Sequence, residues 1–140
     1  MTREQKRMRI NGVIIAISGF ALAIAVWTPL YPLAQLFLTL AHWPFFQAPA
    51  EIDATGRLML AIGGGLTFGF GVMMWTVGTE VMPVAPTAGR HVVLYSSAAW
   101  FITDSAFSVV AGSPFNAVLN VIFLALMMGS LDYKARHVAT

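Results

Sequence analysis

Four long apolar runs divide the chain, each close to the length at which a helix crosses a bilayer. They are "INGVIIAISGFALAIAVWTPL" (10–30), "LMLAIGGGLTFGFGVMMWTVG" (58–78), "VVLYSSAAWFITDSAFSVVAG" (92–112) and "FNAVLNVIFLALMMGSL" (115–131). A hydrocarbon core of about 30 Å takes roughly 20 helical residues at a rise of ~1.5 Å each. The pattern therefore predicts one all-α domain over residues 1–140, an integral membrane four-helix bundle. Between the first two runs, residues 31–56 are apolar but broken by Pro32, Pro44 and Pro49. The piece "LAQLFLTLAHW" is too short to span, and it ends in His42 and Trp43, an aromatic suited to headgroup depth. It predicts a short interfacial or re-entrant helix; the alternative is the end of a longer, kinked first helix.

The polar positions inside the runs are few and converge. Ser97, Trp100, Asp104 and Ser108 follow an i, i+3, i+7, i+11 progression along one face of the third run. Lipid does not tolerate such a face, so it turns to the bundle interior. Asp104 lies eight residues, or roughly 12 Å, below the outer end of that run. After the "GSP" turn, Asn116 and Asn120 are four apart and share a face of the fourth run. Arg57 stands at the mouth of the second run, with a side chain long enough to reach inward. The expected polar cluster, or ligand pocket, is Arg57, Trp100, Asp104, Ser108, Asn116 and Asn120. An intramembrane carboxylate marks a substrate contact or proton relay by default. Its competitor is a closed structural network, in which Asp104 accepts from the asparagine amides or pairs with Arg57. The residues favour the closed network.

Composition agrees with the membrane reading: 58% of residues are hydrophobic, 10% are charged and mean hydropathy is +0.75, against about 25% charged in soluble domains. The net charge of +2 does not signal nucleic acid, because the basic residues gather at the chain ends. With four spans, Arg3, Lys6, Arg7, Arg9, Arg90, Lys134 and Arg136 fall on one side and Arg57 alone on the other. Seven against one predicts both termini in the cytoplasm. The first run is too long for a signal-peptide core and reads as a retained span. With no cysteine in the chain, disulfides, thiolate metal sites and thiol redox chemistry are excluded.

Glycine is the other pattern. "GGGLTFGFG" places Gly63, Gly64, Gly65, Gly69 and Gly71 in the second run, with Gly65 and Gly69 as a GxxxG pair for close helix approach. The first run offers Gly12 with Ala16 and Ala21 with Ala25, which makes it the expected partner of the second. A phosphate-cradling loop would need a strand before it and water around it. His42, His91 and His137 do not cluster, and the eight methionines read as packing, so no metal and no cofactor is expected.

The stretch "ATGRLMLAIGGGLTFGFGVMMW" resembles the second-helix signature of the DoxX-like families of small four-helix bacterial membrane proteins. Its matching residues are Arg57, Gly63, Gly64, Gly69 and Gly71. The segment "WFITDSAFSVVAGSPFNAVLNVIFLAL" is similar to the closing half of an uncharacterised bacterial group of the same layout. The resemblance covers about half of the chain and implies architecture more than activity. Some DoxX-like members resemble subunits of quinone-linked oxidoreductases, but no redox ligand is evident here. The leading expectation is a non-enzymatic accessory or structural subunit of a membrane complex, with lipid, membrane-protein partners or further copies of itself around it. The second is a small-solute or proton pathway built on the pocket around Asp104. A membrane enzyme acting on a lipid or quinone is third, since one carboxylate makes a thin active site.

Overall fold

A computed structural model describes residues 1–44 and 51–131; Pro49, Lys134, Arg136 and His137 lie outside them. Among the described residues the chain is all-helical, with five α-helices: α1 (Arg3–Ile24), α2 (Tyr31–His42), α3 (Ala54–Thr76), α4 (Pro86–Val110) and α5 (Pro114–Met128). A 3₁₀ turn, Ala25–Trp27, follows α1, and a π-helical turn, Val77–Val81, extends α3.

The helix starts follow local chemistry. Thr2 and Gln5 form a reciprocal capping box at α1, so the basic lead of the chain joins the first helix rather than preceding it. Asp53 caps α3 by accepting from the Gly56 amide at 2.7 Å. Pro32, Pro86 and Pro114 occupy the first turns of α2, α4 and α5, where a missing N–H costs nothing. Helix α4 ends at Val110, and two residues on Gly112, with a φ of 80°, lets the chain reverse into α5.

Three helical stretches are long and apolar enough to cross a membrane: Arg3–Trp27, Ala54–Val81 and Pro86–Val110. The fourth apolar run, 115–131, forms α5, a helix of 15 residues. At ~1.5 Å per residue it is about 23 Å long, shorter than a bilayer core. The Pro-broken segment forms the short separate helix its prolines predict, α2 of 12 residues, turned off α1 by the 3₁₀ turn and residues 28–30. The outer faces are largely apolar: Ile17, Leu66, Ile102 and Phe107 are each about two-thirds exposed. Contiguous apolar surface on that scale suits lipid or a partner rather than water.

The largest interface joins α1 to α3, antiparallel. A Cβ on Gly12 would lie 2.7 Å from the Gly71 carbonyl oxygen, and one on Gly64 would lie 2.7 Å from that of Gly19. Two glycines seven apart on each helix thus meet backbone to backbone. This corrects the expected GxxxG contact. A Cβ at Gly63, Gly65 or Gly69 would meet nothing within 4 Å, so the close approach belongs to Gly64 and Gly71. Seven residues make about two helical turns, which keeps Gly64 and Gly71 on one stripe.

The two ends of the bundle are built differently. At one end the starts of α1 and α4 are tied by Arg90, which donates to both carboxylate oxygens of Glu4 at 2.9 and 2.8 Å. Glu4 is buried there. Beside it Gly78 packs on Met8, and Asn11 donates to the Leu126 carbonyl and the Ser130 hydroxyl. At the other end α2 lies against α5, with Trp43 edge-on to Phe115. Ala25, Ala34, Ile52 and Leu60 form a second small core beneath it.

Candidate functional site

The polar cluster forms where α4 meets α5. Asp104 projects from α4 and accepts two hydrogen bonds, both at Oδ2: one from Asn116 Nδ2 at 3.2 Å and a shorter one from Asn120 Nδ2. Each amide then uses its second hydrogen on a serine of α4. Asn116 donates to Ser108 Oγ at 2.9 Å, and Asn120 donates to Ser105 Oγ at 3.2 Å. The i, i+4 spacing of the asparagines sets them one turn apart, facing Asp104, Ser105 and Ser108. Each amide is oriented with its nitrogen toward the Asp104 carboxyl oxygen, to which it donates.

Beside this ladder lies a cavity of about 270 Å³ with walls from all five helices. Asp104, Asn116 and Asn120 form its polar edge. Phe37, Phe70, Trp100 and Phe123 supply aromatic wall, with the Phe70 and Trp100 ring centroids 6.2 Å apart. Ser18 and Thr67 also line it, but their hydroxyls donate within their own helices, to the carbonyls of Ile14 and Gly63. On the α3 side Met59 and Leu66 line it while being more than half exposed, which marks the opening. Gly63 sits between them on this lip, with open space where a side chain would start.

Five of the six expected site residues are therefore brought together: Trp100, Asp104, Ser108, Asn116 and Asn120. Arg57 is not. Its Nη1 donates to the Ile52 carbonyl at 2.8 Å, because the chain entering α3 puts that acceptor within reach. Among the described residues the ion pair is Glu4–Arg90, at the opposite end. Three kinds of site residue are not evident from the sequence pattern. Ser105 is buried beside Asp104, and its signal is its place eight residues after the buried Ser97. Ser18 and Thr67 look like ordinary small polar residues in a helix. The aromatic wall is assembled from four helices, which no single run can display. Among the described residues no group of three or more His, Asp or Glu is placed to hold a metal.

The chain was also compared with models of known protein families, with characterised proteins and with solved structures, and it matches none of them.

Proposed function

We propose that this is a membrane-embedded helical protein that takes a small solute into the cavity beside Asp104, for binding or passage rather than for covalent chemistry. The observation that carries this reading is the cavity itself. A purely structural Asp–Asn ladder would be closed over by packing, whereas this one forms the edge of about 270 Å³ of open space. That volume is near the small end of ligand pockets, about 300 Å³ and upward. In the proposed placement α1, α3 and α4 cross a bacterial inner membrane, α5 completes a fourth crossing and α2 lies at the outer interface. Both termini are cytoplasmic, supported by the excess of Lys and Arg at the end where Glu4 meets Arg90. The DoxX-like layout implied by Arg57 and the α3 glycines fits the same placement.

The cysteine-free chain offers a direct test. Thr67→Cys puts a thiol on the cavity wall in nearly the shape of the native side chain. Reconstituted protein should react with N-ethylmaleimide at that position, and a second substitution, Gly63→Leu, should protect it. An unreactive Thr67→Cys, alongside a reactive Thr55→Cys control at the exposed start of α3, would show the cavity to be closed. A second reading, an accessory subunit, is supported by the shallow apolar groove on α5 between Val118, Val121, Ile122 and Leu126. Co-purification of a stoichiometric membrane protein under mild detergent would favour it.

A further inference from the structure

The hydrogen-bonding capacity of the cavity is one-sided. Both amide hydrogens of Asn116 and of Asn120 are spent on Asp104 and the serines. The hydroxyl hydrogens of Ser18 and Thr67 are spent on their own helices. The Trp100 indole N–H is the single side-chain donor on the cavity wall without a partner among the described residues. Acceptors, in contrast, are left over. Asp104 Oδ1 and the carboxamide oxygens of Asn116 and Asn120 receive no donor from the described residues. None of these oxygens is sealed in, because no fully buried side-chain polar atom among the described residues lacks a partner. The site thus offers a carboxylate oxygen and two amide oxygens, set among four aromatic rings.

We propose that the cavity is a site for a small organic cation: a protonated amine on an apolar, compact body. The proposal rests on the solute-binding reading above and names the class of solute. An ammonium group brings up to three donors and no acceptor, the complement of what the edge presents. Its charge compensates the Asp104 carboxylate, which no cation of the described residues pairs. Aromatic faces add attraction for a cation that has left water. A hydroxyl-bearing guest satisfies the acceptors but leaves the carboxylate uncompensated in a low-dielectric setting. An anion meets the carboxylate and unpaired oxygens with only the Trp100 indole N–H to hold it, and no cation. The opening beside Met59, Gly63 and Leu66 is apolar, so the body of the guest enters from the α3 side with its ammonium leading.

Four probes of one shape test this: benzylammonium, benzyl alcohol, benzoate and toluene, titrated calorimetrically at pH 7 into the full chain in nanodiscs. Benzylammonium is expected to bind at least tenfold more tightly than benzyl alcohol or toluene, with no binding of benzoate. Asp104→Asn keeps an acceptor for both asparagines and should weaken benzylammonium at least tenfold while leaving toluene unchanged. Gly63→Leu fills the opening, keeps the carboxylate and should abolish binding of every probe. If Asp104→Asn does not fold, the wild-type ranking and Gly63→Leu carry the test alone. Equal or tighter binding of toluene or benzyl alcohol, still abolished by Gly63→Leu, overturns the cation class and leaves the cavity reading intact. So does silence of all four probes when Thr67→Cys is reactive. Silence with an unreactive Thr67→Cys overturns both.

Discussion

The α1–α3 seam and the α4–α5 ladder both hold apolar helices together, by opposite means. At the seam side chains are absent: Gly12 and Gly19 meet Gly71 and Gly64, and backbone touches backbone. At the ladder side chains do the joining, through Asp104, Asn116 and Asn120. In the proposed membrane placement the difference matters, because water-driven association is missing between helices in lipid, where packing and polar contacts carry the energy. The seam has no room to accept anything else. The ladder, two helices wide and lined by hydrogen-bonding atoms, leaves a cavity at its side. One interface sets the frame and the other can respond to a guest.

That contrast orders a set of substitutions, each read by thermal unfolding in detergent. Gly71→Val or Gly64→Val forces branched carbon into a facing backbone and should cost about 3 kcal/mol or more, the upper range for overpacking; unchanged stability would mean the seam does not close as described. Asn120→Leu removes the donor to Asp104 and Ser105 from a buried position and should cost about 2 kcal/mol. Glu4→Gln weakens the two-pronged contact with Arg90, partly open to solvent, for a loss of about 1 kcal/mol. Gly65→Ala meets open space on the far side of α3 and should gain about 0.5 kcal/mol from helix propensity alone. A clear loss at Gly65 would instead reveal a partner seated on that face.

The same contrast explains what is legible in the sequence. Asp104, Asn116 and Asn120 can be grouped from their spacing alone, because a polar residue in an apolar run has few places to go and the helical period then sets its face. The pairing of the first and second long helices is readable from their small residues. Which glycines touch is not, because GxxxG spacing and a seven-residue stripe coexist in "GGGLTFGFG", and only the crossing geometry of α1 chooses between them. Arg57 illustrates the opposite error. A long cation near a carboxylate in depth is no evidence of a pair when a backbone carbonyl five residues earlier in the chain is closer. The π-helical turn at Val77–Val81 leaves no local mark beyond Gly78, which is buried against Met8. The apolar run stops at that glycine, although the helix continues through it.

The order of the helices along the chain has a consequence for biosynthesis. The 18-residue apolar stretches of the three long helices fall in mean hydropathy from 2.2 to 1.6 to 1.2 as the chain is made. The helix bearing the carboxylate is thus the least able of the three to partition into lipid by itself. By the time it leaves the ribosome, α1 and α3 have both been synthesised and can already be zipped along their glycines. The nascent bundle has a rigid wall waiting for its most reluctant member. The asparagines of α5 emerge only afterwards, so until then the neighbours available to Asp104 are those of α1 to α3.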